Sequence, residues 1–237
     1  CAFWYVEALA TVGRVEEAIQ QGIIGLNLLG VKLSANPGML SVMSEIITAK
    51  MRLGKRKIPD LLNLPVLEDN EKKMIVRLLS EMGGPAYVLG NDNLFGLLNL
   101  KVVNISLKYG NSPESSYAYI AYGMLLSIAF NDYKSSFELG KLAIDLNEKL
   151  RDQEYTCRVI GAYCALTHHL NFHWSSLENW YLKGVKAGFI SGDIFYLAYN
   201  AGNFTLFNPK ISLKELIEKQ LKYFAIVVDT KYEDAYD

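Results

Sequence analysis

The chain has 237 residues, of which 51% are hydrophobic and 21% are charged, and its formal net charge is −1. That length is sufficient to bury a large apolar core, either in one elongated domain or in two small ones. Because acidic and basic residues nearly balance, the composition provides no electrostatic attraction to nucleic acid or to an anionic membrane. We therefore expect no nucleic-acid partner.

The ends of the chain and its cysteines bear on its context. The sequence opens at Cys1 without a signal peptide, and we expect a fragment of a longer protein. We predict one domain over residues 1–228, and a tail or the start of a further segment over 229–237. Three cysteines, Cys1, Cys157 and Cys164, are too few for a disulfide framework, which favours the cytoplasm. The longest uncharged stretches are too short to span a membrane.

The spacing of apolar residues predicts helices through the first half of the chain. The first two occupy residues 15–30 and 39–53, and a break at Asn36-Pro37-Gly38 separates them. Asp69 is expected to cap a third helix, which Gly83-Gly84-Pro85 should end. The inner face of this third helix is predicted to carry Ile75, Leu78, Leu79 and Met82, and its solvent face Lys72, Lys73, Arg77 and Glu81.

The second half continues in the same way. Residues 94–109 are apolar almost all round, so that helix should be central and covered on both sides. No convincing alternation with a period of two is found, so we predict an all-α fold. The remaining helices are predicted over residues 115–130, 133–150, 154–167, 176–188, 193–207 and 212–228.

Three of these helices align without gaps around Gly22, Gly140 and Gly184. Small residues flank the first two glycines at the same offsets, whereas Trp180 replaces one of them in the third copy. Glycine weakens a helix by about 1 kcal/mol relative to alanine, so Gly22 and Gly25 inside one helix suggest that a neighbouring backbone comes close there. At the aligned positions, small residues are expected where helices touch. We therefore predict an irregular tetratricopeptide-like array of antiparallel helix pairs, a solenoid. An unrelated all-α bundle remains the alternative.

No motif for phosphate binding, nucleophilic catalysis or zinc-dependent hydrolysis is present. Cys157, Cys164 and His168 share one helix face, with His169 and His173 nearby. The first and last of the three are about 16 Å apart along a helix, too far to share one ion. We expect no metal, no cofactor and no catalytic residue, and neither bound zinc nor ATP hydrolysis.

Clustered aromatic residues are the remaining signal. Large aromatic side chains at helical spacing mostly fill cores, but tyrosine and tryptophan also anchor partners at interfaces. Core and groove therefore both remain open for these residues. The candidates for binding a partner are Tyr117, Tyr119, Tyr122, Trp180, Tyr181, Tyr196 and Tyr199.

Several short runs carry a resemblance to a known group of proteins. They are residues 62–65, 85–87, 102–112, 116–119 and Tyr122-Gly123. Together they resemble the helical region that follows the predicted ATPase module in very large bacterial signalling proteins. Those proteins often also join a serine/threonine-kinase-like domain, a GAF domain and a sensor histidine kinase. The resemblance runs over most of the chain, carries no catalytic motif, and implies a tetratricopeptide-like arm that senses or relays.

Two functions follow as expectations. The first is a non-catalytic protein-interaction, scaffold or relay arm of a bacterial signal-transduction ATPase or kinase, which would bind other domains of its own chain or signalling partners. The alternative is a small-ligand sensing arm that regulates an adjacent ATPase module, which requires a pocket among the aromatic residues. An enzyme is disfavoured because no convergent catalytic set is visible. The oligomeric state stays open.

Overall fold

The computed structural model describes residues 2–206 and 211–230 of the chain. Helix dominates this part, and it contains no β-strand, which confirms the all-α prediction. The α-helices are α1 Ala2–Thr11, α2 Val15–Leu28, α3 Met39–Leu53, α4 Asn70–Glu81, α5 Gly83–Val88, α6 Asp92–Tyr109, α7 Pro113–Phe130, α8 Tyr133–Leu150, α9 Thr156–Leu166, α10 Leu177–Ser191, α11 Ile194–Leu206 and α12 Leu213–Thr230. Short 3-10 helices occupy Ile58–Asn63, His168–Leu170 and Trp174–Ser176.

Helix ends follow local chemistry where the sequence carries a cap. The Asp69 carboxylate accepts a hydrogen bond from the Lys72 backbone at 3.0 Å, which starts α4 as predicted. Asp132 does the same for α8. Gly54 ends α3 with φ at +59°. The predicted bounds of α3 and α8 are confirmed at both ends, and those of the other predicted helices differ by a few residues.

Two helices differ from the prediction. Residues 2–11 form α1, which the sequence analysis did not identify. Helix α4 ends at Glu81, just before Gly83-Gly84-Pro85 as predicted, and these three residues then begin the unpredicted short helix α5. A proline is accepted in the first turn because the N–H groups there have no intrahelical acceptor.

The central position predicted for residues 94–109 is confirmed. Helix α6 is buried around most of its circumference and contacts α3, α4, α5 and α7. Two of its buried polar side chains donate hydrogen bonds: Asn104 donates to the Glu45 carboxylate at 2.7 Å, and Ser106 donates to the Val102 carbonyl at 2.9 Å. The side-chain oxygen of Asn104 is buried without a partner. This helix therefore ties the N-terminal helices to the rest of the molecule.

In a solenoid, each helix packs against the next one along the chain, and this chain shows that pattern only in part. From α6 to α12 each helix contacts the next one along the chain. In the first half, however, α3 packs mainly against α6, and α4 packs against α1 and α2. One apolar core runs from α1 to α10, and a small cluster of Val185, Leu197 and Ala201 lies beside it.

The three aligned glycines all lie at close contacts between elements, but side chains rather than backbones meet them. A Cβ at Gly22 would overlap the Met82 side chain, and one at Gly140 would overlap Thr167. At Gly184 the obstacle is the amide of Asn200. At Gly22, where the sequence predicts a nearby backbone, the three nearest atoms all belong to a side chain. All three aligned positions require a small residue.

A backbone does come close at Gly123 of α7. A Cβ there would lie 3.0 Å from the carbonyl oxygen of Ser136 in α8 and 3.2 Å from its Cα. The Ser136 side chain is buried, and its hydroxyl has no hydrogen-bond partner. Helices α7 and α8 therefore touch through their main chains at this point.

Candidate functional site

The main apolar cavity of the described residues is a groove of about 480 Å³. Its walls come from α3, α5, α6, α7, α9, α10 and α11. Five tyrosines line it, together with aliphatic side chains and methionines, so we call it the tyrosine groove. The tyrosines are Tyr87, Tyr117, Tyr181, Tyr196 and Tyr199.

Small residues on α9 make room for this groove. Gly161, Ala162 and Ala165 follow one side of that helix and line the cavity. Opposite them lie Met124 and Leu125 of α7, and both are partly exposed. A groove with this lining offers apolar contact with few polar groups, which is typical of sites that bind a ligand or a helix.

The structure separates the seven predicted aromatic residues into four groove residues, two core residues and Trp180. Tyr117, Tyr181, Tyr196 and Tyr199 line the groove, whereas Tyr119 and Tyr122 are core residues with 0% and 4% of their surface exposed. The Tyr119 hydroxyl donates to Asn111 at 2.9 Å. Tyr119 and Tyr122 line a separate, smaller cavity of about 110 Å³ and not the tyrosine groove.

Trp180 is partly buried and lies outside the lining of the groove. Its ring packs edge-on against Tyr163, with ring centroids 5.2 Å apart, and the Lys183 ammonium lies 4.7 Å from the Trp180 ring centroid. Adjacent Tyr181 is 1% exposed, and its hydroxyl has no hydrogen-bond partner. The helical repeat of about 100° per residue points these neighbours in different directions.

Aromatic contacts connect the two sides of the groove. Tyr87 of α5 meets Tyr199 of α11 with ring centroids 6.4 Å apart, and Tyr117 of α7 meets Tyr196 at 5.7 Å. Both pairs are edge-to-face, the arrangement that the charge distribution of aromatic rings favours. Burial raises the pKa of Tyr117 and of Tyr196, so both phenols are neutral at physiological pH.

A second cavity, of about 270 Å³, adjoins the groove. Tyr117, Phe195 and Tyr196 line both cavities. The second one is lined by acidic side chains from α1, α4 and the turns before α9 and α11, so we call it the acidic cavity. Its charged lining residues are Glu7, Glu81, Glu154, Asp193 and Arg158.

Arg158 is central to this cavity. Its guanidinium donates to Asp193 at 2.9 Å and lies 3.6 Å from Glu81, and only 12% of its side chain is exposed. The same guanidinium lies over the ring of Tyr155 at 4.5 Å and over that of Tyr196 at 5.4 Å. Ion pairs and ring faces thus hold Arg158 in the acidic cavity, against a tyrosine that also lines the groove.

Arg77 is the second arginine that pairs with the carboxylates of the acidic cavity, and we call these ion-paired residues the charged cluster. It pairs with Glu154, and its Nε lies 3.0 Å from Glu81. The hydrogen bond from Arg77 lowers the pKa of Glu154, so this carboxylate is ionised. Glu81 also accepts a hydrogen bond from the Tyr155 hydroxyl at 3.1 Å. Glu81 is therefore surrounded by donors.

The prediction that Arg77 and Glu81 face solvent is wrong. Glu81 is 6% exposed and the Arg77 side chain 13% exposed, because α1 packs against α4 and the Arg158 side chain of α9 reaches Glu81. Since α1 was not predicted, the sequence showed nothing that would cover α4. One signal was available: Arg158 is the single charge in the otherwise apolar run of α9, and such a charge usually has a buried partner.

Glu7 leaves the cluster with excess negative charge. Four carboxyl groups, Glu7, Glu81, Glu154 and Asp193, face two arginines. One oxygen of Glu7 is buried without a hydrogen-bond partner. Burial raises the pKa of Glu7, and the nearby charge of Glu81 raises it further. The cavity therefore disfavours a full set of negative charges.

The cysteine and histidine cluster has an ordinary structural environment. Cys157 and Cys164 are buried, and burial raises the pKa of both thiols. The His168 ring shares a hydrogen bond of 2.7 Å with the Ser176 hydroxyl. Over residues 2–206 and 211–230, no three His, Cys, Asp or Glu side chains are grouped to hold a metal. The absence of metal in solution stays a prediction.

None of the helices in residues 2–206 and 211–230 is both long enough and apolar enough to cross a bilayer.

Comparison with known proteins finds a similarity to one signalling protein. It is 26% identical over 203 residues to a protein described as hybrid signal transduction histidine kinase G, from Dictyostelium discoideum. That match spans 74% of this chain but 6% of that protein. No family model matches the chain, and no solved structure matches it significantly.

Proposed function

We propose that this chain is a non-catalytic interaction and relay arm of a signalling protein, and that a partner element binds in the tyrosine groove. The observation that carries the proposal is the groove itself, where four of the predicted aromatic residues meet. The partner would be another domain of the same chain or a separate signalling protein. The similarity to a signalling histidine kinase supports the context.

Exposed side chains at the rim support a protein partner. Met39, Tyr87 and Ile128 line the groove and are each more than half exposed. Exposed apolar side chains grouped beside a cavity are typical of interaction surfaces. Methionine adapts its shape to different partners, which suits a relay that must bind and release.

Hydrogen exchange tests this proposal. We expect the amides of α7, α9 and α11 to exchange more slowly in the longer protein that carries this arm than in the isolated chain, since a docked element excludes water. Helix α8, which contributes no residue to the groove, serves as the internal control. Equal exchange of the groove helices in both forms would contradict the proposal.

Small-ligand sensing is the second candidate function. A cavity of about 480 Å³ lies within the range of about 300–1,000 Å³ that small-molecule sites occupy. The unpaired hydroxyl of Tyr181 would gain an acceptor from a ligand. A small molecule that raises the melting temperature of the parent chain, but not of Ala165→Phe with its filled groove, would favour this function.

Further expectations belong to the same proposal. They are a tetratricopeptide-like solenoid, a cytoplasmic location, and the absence of catalysis, metal and cofactor. Bacterial origin also stays a prediction, since the similar protein named above is from Dictyostelium discoideum. Magnesium-dependent phosphate release from ATP by the purified chain would contradict the non-catalytic assignment.

A further inference from the structure

We infer that the tyrosine groove binds an amphipathic helix of a protein partner whose polar face is basic. The inference rests on the proposed function and names the chemistry of the partner. Three observations carry it: the apolar lining of the groove, the charge of the adjoining acidic cavity, and the two tyrosines that line both cavities.

The apolar lining fits one face of a helix. Helices bound in grooves place apolar side chains at i, i+3 or i+4, and i+7 against aliphatic and aromatic walls. Here Met43, Met124 and Leu125 provide flexible aliphatic contact, and Tyr87 and Tyr199 provide flat aromatic contact. The small side chains of α9 leave room for large anchors such as leucine or phenylalanine.

The charges that surround this lining are mostly negative. Among the described lining residues of the two cavities, five are acidic and one is basic. The single base, Arg158, is already paired with Asp193 and Glu81. Arg77, outside the lining, pairs with Glu81 and Glu154, so four carboxyl groups of the acidic cavity face two arginines. A lysine or arginine of the partner would meet this excess of negative charge, whereas a partner carboxylate would be repelled. The five acidic residues are Glu7, Glu81, Asp92, Glu154 and Asp193.

Tyr117 and Tyr196 connect the two recognition elements. Because each lines both cavities, a side chain that leaves the groove toward the acidic cavity passes their rings. Tyr196 already accepts the Arg158 guanidinium over its ring, 5.4 Å from the centroid. A partner cation would find the same kind of ring face and then the free oxygen of Glu7.

Three synthetic peptides test the inference. All share the same leucine positions and helical length, and their polar faces carry lysine, glutamate or glutamine. Binding to the purified chain is measured by fluorescence anisotropy at low and high salt. We expect the lysine peptide to bind about tenfold more tightly than the glutamate peptide at low salt. This ratio should shrink as salt screens the charges.

Variants of the chain locate the binding site. Ala165 is exposed within the groove, so Ala165→Phe should weaken all three peptides by filling the apolar space. Ala225→Phe, at an exposed alanine of α12 outside the groove, is the matched control and should leave binding unchanged. The double variant Glu7→Gln, Asp92→Asn should remove most of the preference for lysine and keep the affinity for the glutamine peptide.

The outcomes separate this inference from the proposed function. Equal binding of the lysine and glutamate peptides would overturn the basic character of the partner. Binding that Ala165→Phe leaves intact would place the site elsewhere and overturn the inference. If no peptide binds while α7, α9 and α11 are still protected in the longer protein, the helix chemistry is wrong and the proposed function stands.

Discussion

Tyr119 and Tyr181 are both buried, but their hydroxyl groups differ. The Tyr119 hydroxyl donates to Asn111, which itself donates to the Leu61 carbonyl. The Tyr181 hydroxyl has no partner. A buried polar group without a partner costs about 1–3 kcal/mol, so the two residues should respond oppositely to loss of the hydroxyl.

We expect Tyr119→Phe to lower the free energy of unfolding by about 1–2 kcal/mol, because the Asn111 oxygen would lose its donor. Tyr181→Phe should leave stability unchanged or raise it, because it removes an unsatisfied group. Urea denaturation of both variants measures the difference. A large loss on Tyr181→Phe would show that its hydroxyl has a partner in solution.

Gly140 provides a second test at this scale. A leucine there would overlap Thr167, which is buried and donates to the Tyr163 carbonyl at 3.1 Å. We expect Gly140→Leu to destabilise the chain by about 1–3 kcal/mol through overpacking. Gly84→Ala is the control, since no atom lies within 4 Å of the added Cβ and alanine favours a helix. Equal melting of Gly140→Leu and the parent would contradict the close contact.

Glu7 links stability to pH. Its pKa is raised above the ordinary value of 4.5 by burial and by Glu81, with Arg77, Arg158 and Glu154 also acting on it. Between the unfolded and folded pKa values the native state binds more protons, so stability falls as pH rises through this window.

Glu7→Gln removes that dependence. We expect the variant to be more stable than the parent at pH 7 and equal to it near pH 4, where the carboxyl is protonated in both states. Thermal melting across this pH range measures the effect. Burial also raises the pKa of Glu114. Part of the dependence of stability on pH therefore remains in both the parent and the variant. A variant less stable than the parent at pH 7 would contradict the assignment.

At the scale of elements, α4 and α9 show what periodicity does and does not reveal. Apolar spacing located both helices, and the cap at Asp69 fixed the start of α4. Periodicity assigns a charged residue to solvent unless another element is known to cover it. It assigns Arg77 and Glu81 of α4 to solvent in this way, but α1 packs against α4. The buried ion cluster could therefore not be predicted without first predicting α1.

Arg158 should be the most sensitive member of that cluster. Its removal leaves Glu81 and Asp193 buried with too few cations, and breaking such a pair costs about 3–5 kcal/mol. We expect Arg158→Met to destabilise by that amount, although methionine fills similar space. Lys141→Met, at an exposed position of α8, should change stability by less than about 0.5 kcal/mol. Chemical denaturation of both variants compares them, and equal stabilities would contradict a buried cluster.

For the whole molecule, helix content was predictable and packing order was not. Each helix is a local pattern, whereas the pairing of α3 with α6 depends on contacts across some fifty residues, such as Glu45 with Lys101. The aromatic clusters of the sequence predict four of the five tyrosines of the groove, but not Tyr87. The division of the predicted tyrosines between core and groove required knowledge of which helices lie opposite one another, as Tyr119 and Tyr117 show.

The helices differ in how much of their surface is buried, and their amide hydrogen-exchange rates should differ accordingly. Helix α6 is buried on most sides, whereas α12 contacts α11 and leaves Leu213, Ile217 and Leu221 exposed. We expect amides of α12 to exchange first and those of α6 last, with α6 approaching the free energy of global unfolding. Uniform protection across both helices would contradict this order.

The contact between Gly123 and Ser136 restricts how this sequence can diverge during evolution. Even a methyl group at position 123 would press on main-chain atoms of Ser136 in α8. Main-chain atoms cannot rotate away as a flexible side chain can. Relatives that keep this helix pair should therefore retain glycine at 123, and at 136 they should accept alanine as readily as serine, since the Ser136 hydroxyl makes no hydrogen bond. A larger residue at 123 in an aligned homologue would mark a lineage in which the two helices have moved apart.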